Sequence, residues 1–250
     1  MMFDAGSTAD SLELSLRAVA TTERAVNEKR YLKSDLEFLG ATVGDVRRAV
    51  RSLREGHGEL DHGELIALAE ELWRKPVHER RMATVVLLES NERLLTMDDL
   101  EMVERLIRES GNWALVDGLA GKVAGAIVWR YRQAGDTLDR WSRDDDFWLR
   151  RASLLALMIT VKKVGDLERF GRFADAMLHE KEFFIRKAIG WVLREASKLH
   201  PDEVFAWLAP RTARISGVTI REAVKYLPPD QQDALIAAFR QRRPARPSLA

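Results

Sequence analysis

The chain has 250 residues, of which 46% are hydrophobic and 32% are charged, and its formal net charge is only +1. It contains no cysteine, which excludes disulfides and thiolate chemistry and fits a reducing compartment. No run approaches the roughly 18 apolar residues of a membrane helix, and the first residues lack the basic and apolar regions of a secretory signal. These features predict a cytoplasmic protein with no membrane segment.

Helical periodicity runs through nearly the whole chain, and no segment predicts a strand. Thr42 is a predicted N-cap, and Pro76 is predicted to start a helix at a position that proline tolerates. In chain order the predicted helices cover 11–31 with a break near 21–22, 43–54, 63–74, the segment that Pro76 starts, the segment that begins at 98–99, 113–132, the segment that carries Trp148, 166–179, 182–199, 202–212, 220–226 and 229–240. The predicted fold class is all-α.

One pattern recurs about every 35 residues. Residues 147–152 match residues 183–188, and the triplets Arg221-Glu222-Ala223 and Glu79-Arg80-Arg81 repeat part of the same pattern. A helical repeat of this length predicts a solenoid of helical hairpins. We expect residues 1–240 to form a single repeat domain and residues 241–250 to form a basic, disordered tail.

Equivalent positions of successive repeats line one surface of a solenoid, and here they combine aromatic, acidic and basic side chains. Spacings of three, four and seven residues place these side chains on one face of each predicted helix. The strip consists of Trp113 and Asp117, then Trp148 and Arg151, then Phe184, Lys187 and Trp191. The alternative interpretations are core packing of the tryptophans, a structural Asp117–Arg151 ion pair, and ordinary solvated cations.

The composition of this strip suits an anionic ligand whose reaction needs one carboxylate. Cationic side chains hold phosphates, and aromatic faces attract cationic groups. A carboxylate repels a phosphate-bearing ligand, so its use would be to stabilise developing positive charge and to orient or deprotonate water. Cleavage of a glycosidic bond has such a transition state. An alkylated purine is a special case, because it is already a cationic leaving group.

Other kinds of site find little support in the sequence. The chain lacks the glycine-rich loops that bind nucleotide phosphates and the nucleophile elbow of serine hydrolases. His57 and His62, with Glu59 and Glu64, could suggest a metal site, but their spacing in a polar turn does not suit one. We therefore predict no cofactor and no metal.

A resemblance to a known family is carried by Lys-Glu-Phe-Phe-Ile-Arg-Lys-Ala-Ile-Gly-Trp-Val-Leu-Arg-Glu at residues 181–195. This segment closely resembles the signature of the AlkC/AlkD-type DNA alkylation-repair glycosylases, and it is nearer to the AlkD branch. The likeness extends from about residue 18 to residue 225 and includes residues 30–33, 38–40, 71–73, 112–117 and 148–152. It implies HEAT-like repeats in a C-shaped, right-handed superhelix, and hydrolytic release of 3- or 7-alkylpurines such as 3-methyladenine and 7-methylguanine.

The resemblance also implies roles for individual residues. Asp117 is the implied catalytic carboxylate, Trp113 and Trp191 form an aromatic cleft beside it, and Arg151 grips backbone phosphate. The residues expected to contact DNA are Tyr31, Trp148, Arg151 and Lys187. The implied partner is double-stranded DNA with alkylated bases. We expect a monomer without an obligate protein partner, associated with the nucleoid when it is bound to DNA.

The chain departs from the family pattern in two features, and two alternatives to the glycosylase interpretation stay open. The near-neutral charge is low for a DNA-binding protein, and Ala114 stands where an AlkD-like chain tends to carry a second tryptophan. One alternative is a non-catalytic HEAT-like module that binds nucleic-acid structures or a protein partner. A second is a glycosylase/lyase that uses the Lys187 amine as a nucleophile.

Overall fold

The computed structural model describes residues 3–241, apart from the side chains of Arg54 and His57. Contacts between Cα atoms divide the chain into two compact units, Met1–Ile127 and Val128–Ala250. The single domain expected for residues 1–240 stays a prediction. The last described helix includes Gln241, the first residue of the predicted tail, and the rest of that tail lies outside the described residues.

Helices account for the regular structure of residues 3–241, which contain no strand and one isolated parallel bridge between Glu37 and Val77. The all-α prediction is confirmed. The α-helices are α1 (Ala5–Val19), α2 (Thr22–Leu32), α3 (Val43–His57), α4 (His62–Arg74), α5 (His78–Ser90), α6 (Leu100–Glu109), α7 (Trp113–Gly118), α8 (Gly125–Arg130), α9 (Gly135–Trp141), α10 (Phe147–Ala156), α11 (Met158–Val164), α12 (Glu168–Met177), α13 (Phe183–Ser197), α14 (Pro201–Leu208), α15 (Gly217–Ala223) and α16 (Pro229–Gln241).

Five of these helices begin about 35 residues apart, as the sequence repeat predicts. They are α5, α7, α10, α13 and α15, whose first residues are His78, Trp113, Phe147, Phe183 and Gly217. In the first unit α5 packs on α7, and in the second unit α13 packs on both α10 and α15. Each of these helices therefore contacts the equivalent helix of a neighbouring repeat within its own unit.

Two predicted helix boundaries are wrong for identifiable reasons. Pro76 does not start α5, because its carbonyl accepts a hydrogen bond from the Glu37 amide at 2.9 Å and the helix begins two residues later. The helix predicted over 113–132 is divided by the π-helical segment Leu119–Ala124, and Gly135 opens α9 instead of ending the helix before it. The predictions also omitted α9 and α11 as separate helices.

The π-helical segment has a signature in the apolar pattern. Leu115, Leu119, Val123 and Ile127 form one fully buried row at a spacing of four residues. A row at this spacing drifts around a helix of 3.6 residues per turn. The wider turn of the π-helical segment absorbs that drift, so that one face stays in the core along the whole of 115–127.

His78 is a buried histidine at the start of α5. Its ring stacks on Phe38 with the centroids 4.6 Å apart, the residue is 3% exposed, and Nδ1 has no hydrogen-bond partner among the described residues. Burial lowers the pKa of His78 from 6.5 to about 4. The imidazole is therefore neutral in the folded protein at neutral pH.

This histidine should make stability depend on pH. The unfolded chain takes up the His78 proton near pH 6.5, whereas the folded chain does so only near pH 4. The contribution of this histidine to the free energy of unfolding is therefore complete above pH 6.5 and is lost as the pH falls towards 4. The loss amounts to about 3 kcal/mol. Urea titrations at several pH values in this range give a curve of the free energy of unfolding against pH. His78→Phe should flatten this curve relative to wild type, whereas His179→Gln, at an exposed position, should not. Parallel curves for wild type and His78→Phe would contradict the assignment.

Candidate functional site

Polar N-caps fix where four of the five repeat-equivalent helices begin, namely α7, α10, α13 and α15. The Asn112 side chain accepts hydrogen bonds from the amides of residues 114 and 115, and Asp146 accepts one from the Trp148 amide at 2.9 Å. Glu182 and Ser216 cap α13 and α15 in the same way. Each cap lies directly before the segment that carries the candidate residues, and it therefore sets their position along the helix.

In the first unit, Tyr31, Trp113 and Asp117 form the candidate reaction surface. The ring of Tyr31 meets the ring of Trp113 edge-on, with centroids 5.8 Å apart and planes at 86°. Tyr31 is 70% exposed, and Trp113 and Asp117 are partly exposed. Asp117 follows Trp113 by one helical turn on α7. The structure thus places an accessible aromatic pair, formed by Tyr31 of α2 and Trp113 of α7, one turn from the carboxylate.

A buried carboxylate holds the loop that follows Tyr31. Glu79 is 1% exposed, and its oxygens accept hydrogen bonds from the amides of Leu39 at 3.0 Å, Gly40 at 2.6 Å and Ala41 at 3.3 Å. Gly40 has a φ of 97°, and a Cβ there would lie 2.0 Å from the Thr21 carbonyl oxygen. Only glycine fits this close approach, which lets Glu79 connect α5 to the loop after α2.

In the second unit, two of the candidate aromatic residues, Trp148 and Phe184, lie together between α10 and α13. The rings of Trp148 and Phe184 lie 5.0 Å apart, and Phe147 packs against both of them. Arg151 lies beneath this cluster, because its Nη1 donates to the Phe184 carbonyl and its guanidinium carbon lies 5.7 Å from the Phe184 ring. Arg151 therefore connects the two helices.

The position of Arg151 bears on its predicted contact with phosphate. The residue is 3% exposed, so in this structure little of its guanidinium can meet a ligand. The Arg151 role stays a prediction, and its test has to separate DNA binding from the contact with Phe184.

Lys187 lies on α13 beside a carboxylate that sequence reasoning did not select. Its Nζ donates to Glu222, which is 3% exposed and also accepts hydrogen bonds from Arg194 and from Lys225, the latter at 3.1 Å. Burial raises the pKa of Glu222, but hydrogen bonds from Lys187 and Lys225 and the charge of Arg194 outweigh it and hold the pKa below its ordinary value. Trp191 is half-buried and follows Lys187 by one turn.

The repeat register could have revealed Glu222. Arg151, Lys187 and Glu222 occupy the same position of successive repeats. Arg151 and Lys187 each contact the following repeat, through Phe184 and Glu222 respectively. A basic residue in one repeat followed by an acidic one in the next is therefore the signal for an ion pair between repeats.

The half-buried Ala114 leaves Trp113 as the aromatic side chain of the first turn of α7.

No group of three or more His, Asp or Glu side chains in the described part of the chain is arranged to hold a metal ion. His62 contacts Asp99 at 3.0 Å, and the His57 side chain lies outside the described residues. No helix within residues 3–241 is both long enough and apolar enough to cross a membrane.

Several solved structures share the fold of this chain. A predicted DNA alkylation repair enzyme from Enterococcus faecalis has a TM-score of 0.75 at 22% identity, over 84% of this chain and 97% of that chain. AlkD2 from Streptococcus mutans has a TM-score of 0.63 at 16% identity, over 90% and 99%. The alkylpurine DNA glycosylase AlkC of Pseudomonas fluorescens, solved on DNA containing an abasic site analog, has a TM-score of 0.52 at 16% identity, over 96% and 66%.

Sequence comparison gives the family. No curated protein matches the chain. The structural likenesses, all below 25% identity, show a shared helical-repeat fold. One family model, described as DNA alkylation repair enzyme, matches residues 12–227, which include every candidate residue described above. The chain therefore belongs to the DNA alkylation repair enzyme family.

Proposed function

We propose that the protein is a DNA glycosylase that hydrolyses the N-glycosidic bond of cationic alkylated purines, of the 3-methyladenine and 7-methylguanine type, in duplex DNA. The observation that carries the proposal is the Asp117 carboxylate one turn from the accessible Tyr31–Trp113 pair. Family membership supports a repair role. The AlkC neighbour is an alkylpurine DNA glycosylase, and it supports this reaction type.

The proposed chemistry needs one carboxylate and no cofactor. Alkylation at N3 or N7 gives the base a positive charge, so the bond to C1′ breaks with its electron pair leaving on the base. Asp117 stabilises the oxocarbenium-like sugar and orients the water that adds to C1′, whose proton passes to the carboxylate or to solvent. The rings of Trp113 and Tyr31 attract the cationic base. The products are the free base and an abasic site.

Residues of the second unit are proposed to hold the DNA. Trp148 and Trp191 present partly exposed rings that can pack against sugars, and the Lys187 side chain is 39% exposed and can meet a phosphate. Alkylated duplex DNA is then the partner, bound by a monomer without metal or protein assistance.

Release of free base from duplex DNA methylated at N7 of guanine and N3 of adenine tests the proposal. Wild-type protein should release both bases and leave abasic sites that alkali cleaves. Binding of the same duplex without release would instead indicate the non-catalytic module. Trapping of a covalent complex with borohydride would indicate a lyase. The hydrogen bond from Lys187 to Glu222 does not favour a lyase, because a nucleophilic amine needs its nitrogen lone pair.

Arg151→Ala should weaken duplex binding and reduce its salt dependence. If the guanidinium meets one phosphate, the slope of log affinity against log salt should become shallower by about one unit. Binding titrations at several salt concentrations measure this slope, and thermal melting measures the cost of losing the hydrogen bond to Phe184. A lower melting temperature with an unchanged slope would show that Arg151 only connects α10 to α13.

A further inference from the structure

A cleft in the second unit lies beside Lys187. It has a volume of about 750 Å³ between α13, α15 and α16, and it is widely open to solvent. Its walls carry the cationic side chains of Lys187, Arg221, Lys225 and Arg240. Glu222, which is buried, and Asp233, which is exposed, are the carboxylates that line it.

The ion pairs around the cleft leave it an excess of positive charge. Glu222 carries one negative charge at neutral pH, yet Lys187, Lys225 and Arg194 all donate to it. Arg221 and Arg240 are exposed and have no ion-pair partner among residues 3–241. Four cations and two carboxylates line the cleft. Its potential is therefore positive, and it attracts anions.

Apolar side chains complete the walls of the cleft. Phe183, which is 54% exposed, and the side chains of Val218 and Ile236 stand among the cations. A free phosphate ion would use only the charged groups. A nucleic-acid strand presents phosphates together with apolar sugar edges, so it matches both kinds of wall.

We propose that this cleft binds the sugar–phosphate backbone of duplex DNA, with Arg221 and Arg240 as its principal phosphate contacts. The choice of DNA over another polyanion rests on the proposed function. Glu222 is the positioning residue of the site, because its buried carboxylate holds Lys187 and Lys225 at the wall while leaving their combined charge only partly neutralised. Binding here adds affinity for any duplex, because contacts with the backbone carry no base sequence.

The double variant Arg221→Ala with Arg240→Ala tests this assignment. Its affinity for an undamaged duplex should fall roughly tenfold to a hundredfold near 0.1 M salt, and the salt slope should become shallower by about two units. Single-turnover base release, measured over a range of protein concentrations, separates this loss of affinity from any change in the rate of the chemical step. The control is Arg172→Ala with Arg214→Ala, which removes two exposed arginines of the same unit that already pair with carboxylates. It should change the slope by much less.

Several outcomes would overturn the assignment. An unchanged salt slope in the cleft variant would do so, as would an equal loss in the control variant. Full duplex binding together with lost binding to an acidic peptide would assign the cleft to a protein partner. Thermal melting shows whether each variant is folded. If the cleft variant is not folded, Arg221→Gln with Arg240→Gln takes its place. If the wild type releases no alkylated base, the proposed function fails, while the duplex titrations still decide the role of the cleft.

Discussion

Replacing Asp117 by asparagine should lower the rate of base release by about 10²- to 10³-fold, the range for removing one preorganised electrostatic group from an active site. The amide has the size of the carboxylate but no negative charge, so it cannot stabilise the positive sugar or accept the proton of water. Binding of undamaged duplex should be retained or improved, because a carboxylate in contact with DNA repels phosphates. Single-turnover release from methylated DNA and duplex titrations measure the two effects separately.

Asp98→Asn is the matched control for this experiment, since Asp98 is an exposed carboxylate of the same unit. It should leave both base release and binding unchanged. If Asp117→Asn loses base release, binding and thermal stability together, Asp117 is a structural residue and the mechanism proposed for it is wrong.

Replacing Glu79 by glutamine should destabilise the protein by about 4 kcal/mol, which is the scale for breaking a buried, charge-assisted network. The carboxylate accepts from three backbone amides, those of Leu39, Gly40 and Ala41. A glutamine side chain turns its NH₂ group towards at least one of these donors and also loses the charge. Because the site is buried, water cannot replace the lost hydrogen bonds.

Urea unfolding measures this change as a difference in the free energy of unfolding. Glu101→Gln removes the charge of an exposed carboxylate and should change that free energy by less than about 0.5 kcal/mol. A loss below about 1 kcal/mol for Glu79→Gln would mean that the loop after α2 is held by other contacts.

The sequence was sufficient for most of the helices and for the repeat, because both depend on local signals. Polar residues such as Asn112 and Asp146 stand before apolar periodic segments and become N-caps. The same signals gave the grouping of Trp113 with Asp117, since a spacing of four residues fixes a shared helix face. The contact of Tyr31 with Trp113 is a long-range feature, and the family resemblance predicted only that Tyr31 contacts DNA.

Burial and pairing could not be read from periodicity. Arg151 and Lys187 have the spacing of exposed cations, but the next helix covers Arg151, and Glu222 neutralises part of the charge of Lys187. Pro76 has the sequence features of a helix start, yet its carbonyl pairs with Glu37, which is far away in the chain. In each case a tertiary contact with no local signal decides the outcome.

The four-residue rows created by the π-helical segment have a consequence for the size of the lesion. The row that contains Trp113 and Asp117 continues with Gly121, which is half-buried, and with Gly125, which is buried. The first position of this row beyond the carboxylate is therefore accessible backbone without a side chain. Under the proposed function, a substituent on a damaged purine meets no steric limit from that position.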